Sequence, residues 1–250
     1  MNGLDLNCDL GERDDPAGRE LENQLLPLVT SVNVACGGHA GSLERMAELA
    51  EMCREAHTAF GAHPSFPDRI GFGRRELILA PERLLQSLRE QIQMAASAAA
   101  AAGIPLAHVK PHGALYNLAA ENQQTAEVVI AAIQQSAPAA ALIALAGSPL
   151  VTFARNSGLV AREELFADRG YAADGKLLNR KLPGALIEDP LTVGMRVRQF
   201  IERSTVTAVD GTQLKIHADT ICVHSDTAGA IEIVRSVRNA LQNTGHRASP

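Results

Sequence analysis

Four side chains able to do acid, base or electrostatic chemistry fall within eight positions: Lys110, His112, Tyr116 and Asn117. They directly follow a short β-compatible run, 106–109, and Pro111 ends ladder pairing because it has no N–H to donate. Such a cluster is poor core material. It suits a site built where a strand ends. Equivalent positions carry similar residues. Asp9 closes an apolar alternation that begins at Leu4, and His39 follows the run 31–36. His63 follows 58–62, Asp168 and Arg169 follow 165–167, and His224 follows 220–223. A seventh run, 141–146, ends at Gly147-Ser148.

Asp9, His39, His63, Lys110, His112 and His224 are therefore the candidate catalytic groups. A lone histidine is more often structural, but four at equivalent strand ends reverse that balance. A carboxylate with imidazoles supplies acid and base near neutral pH. The same groups can bind a divalent transition metal, and Asp9, His39, His63 and His112 are then the ligands to consider. No H-E-x-x-H or similar local pair occurs, so a weak or absent metal is expected. Lys110 suits an anionic substrate or a developing oxyanion. Arg74, Arg75 and Arg169 suit carboxylate or phosphate, with Asp168 placed to orient Arg169. Tyr116 and Asn117 are further substrate contacts. Asn7 and Asn33 interrupt apolar strands and must bond something, either ligand or a neighbouring loop. Arg180 reads as an ordinary surface cation, and His57, His217 and His246 as solvated side chains.

Composition narrows the function classes. The chain has 250 residues, 46% hydrophobic and 20% charged, which supports a sizeable core. Aromatics are 3%, Trp is absent and the net charge is -5, so no nucleic-acid partner is expected. No apolar run reaches the ~20 residues of a membrane helix and no basic-plus-apolar leader is visible, so a cytoplasmic protein is expected. Cys8, Cys36, Cys53 and Cys222 form no C-x-x-C and read as buried reduced thiols.

The elements that must position these residues alternate. Helical periodicity is expected over 20–26, 43–57 with Ser42 as N-cap, 82–102, 123–135, 149–157, 190–203 and 227–242. Segments 206–209 and 213–216 flank Asp210-Gly211, a strong hairpin signal. Residues 64–75 and 171–183 read as long loops, and the tail from Asn243 as frayed. Seven β/α units without a dinucleotide fingerprint favour a closed parallel β/α (TIM-like) barrel over an open sheet. No boundary is visible, so residues 1–250 are expected to form a single domain.

At these residues the chain resembles a known family. The segments Asn7-Cys-Asp-Leu-Gly-Glu12, Asn33-Val-Ala-Cys-Gly-Gly-His-Ala-Gly41, Gly61-Ala-His-Pro64, Gly71-Phe-Gly-Arg-Arg75, Val109-Lys-Pro-His-Gly-Ala-Leu-Tyr-Asn117, Phe166-Ala-Asp-Arg169 and Cys222-Val-His224 are similar to the LamB/YcsF family. The resemblance covers Leu4 to about Leu241. It implies a seven-stranded barrel of the glycoside hydrolase and deacetylase type. It also implies a role as the A component of a bacterial 5-oxoprolinase: ATP-dependent opening of the lactam 5-oxoproline (pyroglutamate) to L-glutamate, with subunits B and C as partners. ATP would be consumed by the complex, since no nucleotide motif is readable in this chain. Arg13, Gly38, Ser42 and Ser225 depart from the usual family pattern; they are expected at the mouth and bear on substrate preference. Two other readings are a metal-dependent amidohydrolase or deacetylase on the same barrel, and a non-catalytic lactam-binding protein of the complex.

Overall fold

The computed structural model describes residues 3–243. Seven parallel strands close into a barrel: β1 (Asp5–Leu10), β2 (Ser31–Ala35), β3 (Ala59–His63), β4 (Leu106–Val109), β5 (Ala141–Leu145), β6 (Ala161–Phe166) and β9 (Thr220–Val223). Between β6 and β9 lies the antiparallel hairpin of β7 (Thr205–Thr207) and β8 (Gln213–Lys215). Its turn holds Gly211 at φ 93, a conformation that glycine adopts freely. The α/β barrel with its hairpin thus forms as the sequence implies.

Alternation along the strands gives each one two faces. Leu6, Cys8 and Leu10 of β1 join the hydrophobic core with Val32 and Val34 of β2. Asp5, Asn7 and Asp9 take the opposite face, where Asp5 bonds to the neighbouring strands and Asn7 and Asp9 meet partners across the barrel. β1 and β6 are not neighbours, yet Asn7 Nδ2 donates to Glu164 Oε1 at 3.0 Å. β2 and β4 are not neighbours either, yet His108 Nε2 donates to Asn33 Oδ1 at 2.7 Å. These bonds pass through the interior, so the barrel is filled with polar side chains rather than the usual branched aliphatics. At the lower end, Asp5 Oδ2 accepts from Ser31 Oγ (2.8 Å) and Thr220 Oγ1 (2.6 Å). The next layer is Asn7, Asn33, His108 and Glu164. Burial pushes His108 down to about 3, so it stays neutral and donates.

The helices mostly fall where periodicity puts them. They are α1 (Pro16–Leu25), α2 (Leu43–Ala56), α3 (Pro81–Ala101), α4 (Gly113–Glu121), α5 (Gln123–Ser136), α6 (Pro149–Asn156), α7 (Pro190–Arg203) and α8 (Ala230–Asn243). Ser42 caps α2 as expected, its oxygen accepting from Arg45 N. Four elements differ from expectation, α8 by beginning at Ala230 rather than 227. α1 begins earlier, because Asp15 caps it and Pro16 occupies the first turn. β6 begins at Ala161; its charged residues Arg162, Glu163 and Glu164 masked a strand whose inward face is polar. α4 was not anticipated: it starts directly after His112 and carries Tyr116 and Asn117. All four cysteines are buried and free. No helix among the described residues is long and apolar enough to cross a membrane. Residues 244–250, including His246 and nearly all of the tail expected to fray, lie outside the described residues.

Gly61 is where the polar interior fits most tightly. A Cβ there would lie 2.0 Å from His108 Nε2. Gly61→Ala must therefore displace a buried imidazole and strain its bond to Asn33. It should destabilise the protein by about 1–3 kcal/mol, read as a lower denaturation midpoint with an unchanged m value.

Candidate active site at the barrel mouth

The upper interior layer is anchored by a buried ammonium. Lys110 Nζ lies 2.9 Å from Glu164 Oε1, 3.1 Å from Asp9 Oδ1, 3.3 Å from Asn7 Oδ1 and 3.1 Å from Cys222 Sγ. Four acceptors for three N–H groups saturate it. Burial opposes its charge, yet Asp9, Cys222 and Glu164 together hold its pKa well above the usual lysine range. Asp9 mirrors this: burial favours the neutral acid, but His63 and Lys110 hold the carboxyl well below its ordinary value. Tyr116 closes the cage by donating to Glu164 Oε2 at 2.8 Å.

Above the cage sit three imidazoles and a carboxylate. His63 ends β3; its Nδ1 faces the Lys110 carbonyl at 2.7 Å, and its Nε2 lies 3.5 Å from Asp9 Oδ2. His112 follows β4; its Nε2 faces the Phe72 carbonyl at 3.0 Å, and its Nδ1 lies 3.0 Å from His63 Nε2. His39 stacks on His112 with centroids 3.7 Å apart, and its Nε2 lies 3.1 Å from Glu12 Oε1. The same Glu12 oxygen is 3.3 Å from His112 Nδ1. Burial, followed by the neighbouring imidazoles, pushes His112 well down; burial and then His63 do the same to His39. Burial raises Glu12.

Loops fix these groups. Gly11, at φ 76, turns the chain beyond β1, and Glu22 Oε1 accepts its N–H at 2.7 Å, which places Glu12. Gly113 lets the 64–75 loop approach: a Cβ there would meet the Gly73 carbonyl at 2.6 Å. Ala114 N donates to that carbonyl at 2.9 Å, so the start of α4 pins the loop whose Phe72 carbonyl holds His112.

His224 stands across the mouth. Asp168 accepts from its Nδ1 at 3.0 Å, from its backbone N at 3.0 Å, and from Thr227 Oγ1 at 2.8 Å. A cavity of about 890 Å³ opens above, lined by Asp9, Glu12, His63, Lys110, His112 and His224 at its floor. Arg74, Arg169 and Arg180 also line it, with Tyr116 and Asn117 from α4. Arg74 and Arg180 both pair with Asp226. The segment 173–181 forms one wall, tied to α4 by Lys176 Nζ and Glu121 Oε2 at 3.0 Å.

The structure thus gathers Asp9, His39, His63, Lys110, His112 and His224 at one mouth, with His39 buried behind its stacked neighbour. Other expectations are corrected. Asn7 and Asn33 are wholly buried in the interior network and do not line the cavity. Arg75 pairs with Asp68 away from it. Asp168 orients His224 rather than Arg169, whose guanidinium donates to the carbonyls of Ala185 and Leu178. Arg180 is a wall residue, not a bystander. The four departures from the family pattern do not line the cavity: Arg13 pairs with Asp15, Gly38 packs on Ser65 and Gln91, Ser42 caps α2, and Ser225 donates to the Asp9 carbonyl. Glu12, Glu164, Phe72 and Asp226 were missed. Glu12 and Phe72 carried a signal, inside the quoted Asn7–Glu12 and Gly71–Arg75 segments. Among the described residues, two sets of side chains could hold a metal ion: Glu12, His39, His63 and His112, and Asp9, Cys222 and His224. In the first, Glu12 takes the place anticipated for Asp9.

The LamB/YcsF family profile matches residues 4–250. This chain belongs to the LamB/YcsF family. It is 42% identical to the A component of 5-oxoprolinase from Syntrophobacter fumaroxidans over 97% of this chain and 96% of that protein. It is 43% identical to the corresponding 5-oxoprolinase component of Chloroflexus aggregans over 98% and 97%. The crystal structure of a lactam utilization protein from Thermus thermophilus superposes with a TM-score of 0.91 at 38% identity, covering 100% of this chain and 99% of that one. The family membership accords with the motifs, which map onto the strand ends that build the mouth.

Two outcomes follow from the site's electrostatics. Lys110→Met leaves the Asp9 and Glu164 carboxylates buried without their cation. It should cost about 3–5 kcal/mol in chemical denaturation, and adding Glu164→Gln should recover part of the loss. Asp168 is held down to about 2, chiefly by His224 and Thr227 acting against its burial. A depressed acid stabilises the fold above its unfolded pKa and loses that stabilisation as pH falls through the folded one. Asp168 should therefore contribute about 2 kcal/mol above pH ~4, lost towards pH ~2. Stability measured against pH should show this decline in the parent and not in Asp168→Asn.

Proposed function

We propose that this chain opens an activated lactam at the barrel mouth, as the lactam-hydrolysing component of an ATP-consuming 5-oxoprolinase that works with subunits B and C. Three supports converge: family membership, relatives named as the A component of 5-oxoprolinase, and the site chemistry. The observation that carries the reading is the floor of the cavity. There Glu12, His63 and His112 face one space beside ionised Asp9, beneath a rim of arginines.

A five-membered lactam is nearly unstrained and resonance-stabilised, so water opens it poorly. Phosphorylation of its amide oxygen by ATP weakens that resonance. Water then adds to the ring carbon, and the C–N bond breaks as the nitrogen takes a proton. The resulting acyl phosphate releases phosphate to a second water and leaves glutamate. The floor groups supply the proton transfers to and from water and the leaving nitrogen. Saturated Lys110 does not grip the substrate; it keeps Asp9 ionised and in place. The substrate carboxylate and the phosphate fall to Arg74, Arg169 and Arg180, whose guanidinium groups suit both.

His112→Asn tests this. The variant should fold, keep its thermal midpoint within a few degrees and bind its partners. It should lose about 10²–10⁴-fold in glutamate formation from 5-oxoproline and ATP. Continued ATP consumption without glutamate would place His112 after activation. Glutamate formation at the parental rate would make the residue structural and sink the reading.

A further inference from the structure

The ring geometry at the cavity floor leads to one further conclusion. A carbonyl oxygen only accepts hydrogen bonds. His63 Nδ1 must therefore carry the hydrogen it directs at the Lys110 carbonyl, 2.7 Å away. His112 Nε2 must likewise carry the hydrogen directed at the Phe72 carbonyl, 3.0 Å away. In neutral rings, this leaves a lone pair on His63 Nε2 and another on His112 Nδ1. Those two nitrogens face each other at 3.0 Å. A third acceptor, Glu12 Oε1, lies 3.3 Å from His112 Nδ1 and 3.1 Å from His39 Nε2. Lone pairs packed this closely repel unless a positive charge lies among them.

We propose that Glu12, His39, His63 and His112 form a binding site for a divalent first-row transition metal ion such as zinc. The donor set is three imidazole nitrogens and one carboxylate oxygen, all within 4.8 Å of one another. Zinc–nitrogen bonds of ~2.0–2.1 Å give tetrahedral edges of about 3.3 Å. The spacings of 3.0, 3.1 and 3.3 Å already approach that edge. Backbone carbonyls that take the outer N–H of His63 and His112 are the partners that fix ligand imidazoles in metal sites. His39 Nδ1 is buried without a partner, so the tautomer of that ring is set by what lies at Nε2. The second set, Asp9, Cys222 and His224, already has its cation: the Lys110 ammonium is 3.1 Å from both Asp9 Oδ1 and Cys222 Sγ. An ion at the first set would lie beside Asp9, whose Oδ2 is 3.5 Å from His63 Nε2; with the donor atoms of the floor residues committed to the ion, the Asp9 carboxylate is the base that would take a proton from water bound there. The site rests on ring geometry and stands apart from the identity of the substrate.

The full chain, stripped by chelator and dialysed, is titrated with zinc by calorimetry and reloaded with zinc or cobalt for spectroscopy. One equivalent should bind, with tetrahedral visible bands for cobalt and a nitrogen/oxygen shell in zinc-edge absorption. His63→Gln and Glu12→Gln should each weaken binding at least tenfold with unchanged circular dichroism, while Cys222→Ala keeps the ion. No binding by the parent chain, or binding unaffected in both ligand variants, would overturn the proposal, leaving a shared proton between the rings. Sulfur in the zinc shell of the parent, a measurement that needs no variant to fold, would also overturn it.

Discussion

The buried ammonium of Lys110 is the interaction on which the rest of the barrel depends. It sits where β1, β4, β6 and β9 converge and is the only cation in contact with Asp9 Oδ1, Glu164 Oε1 and Cys222 Sγ among the described residues. Without it, two carboxylates on facing strands would lie in low dielectric with nothing to balance them. A buried pair of this kind adds little over an apolar core, but losing one member is severe. Its service is to fix geometry. Asp9 is held ionised at the rim of the interior, and Glu164 is set to accept from Asn7 and Tyr116. The polar layers below, down to Asp5, hold together because their carboxylate and amide oxygens find donors among neighbouring side chains.

A second constraint acts from outside the barrel. His63 and His112 are oriented by carbonyls, one from the end of β4 and one from the loop after β3. That loop is pinned to the first turn of α4 through Gly73 and Ala114. The short path from β4 through Pro111 and Gly113 thus does two jobs. It stops the strand so that His112 reaches the cavity, and it brings in the backbone that aligns the ring. This is why chemistry-bearing residues are crowded into 110–117.

These relations explain what was readable in the chain. Strand ends were legible, because a parallel barrel strand is apolar on its outer face and Asp9, His63 and His224 break the run where it meets the mouth. α4 was not, because Pro111 and Gly113 look like a turn and hide the helix that starts after it. Glu164 was invisible because β6 reads Ala161-Arg-Glu-Glu-Leu-Phe166, a charged run with no apolar alternation. Its partner Lys110 is 54 residues away, and a cross-barrel ion pair leaves no local pattern. Asn7 and Asn33 need partners and find them in the protein, but single residues in a strand do not say whether the partner is ligand or protein. The acid Glu12 lies beyond the strand on a loop shaped by Gly11, where periodicity carries no information.

The same layering sorts charge by depth. Carboxylates outnumber cations at the floor and directly beneath it: Asp9, Glu12 and the buried Glu164 against Lys110, whose protons are all committed. The field there favours a positive species among the imidazoles and disfavours a free anion. On the wall cations outnumber acids: Arg74, Arg169, Lys176, Arg180, Lys181 and Lys215 stand against Glu76, Glu121, Asp174 and Asp226. On the proposed reading, an anionic lactam entering such a cavity would be drawn to the wall by its carboxylate and meet the floor with its uncharged ring. The barrel interior, which in most proteins of this architecture is filled with aliphatic side chains, is here the source of that polarity. The fold is held together and the site is charged by the same residues, so stability and chemistry in this protein cannot be varied independently at Asp9, Lys110 or Glu164.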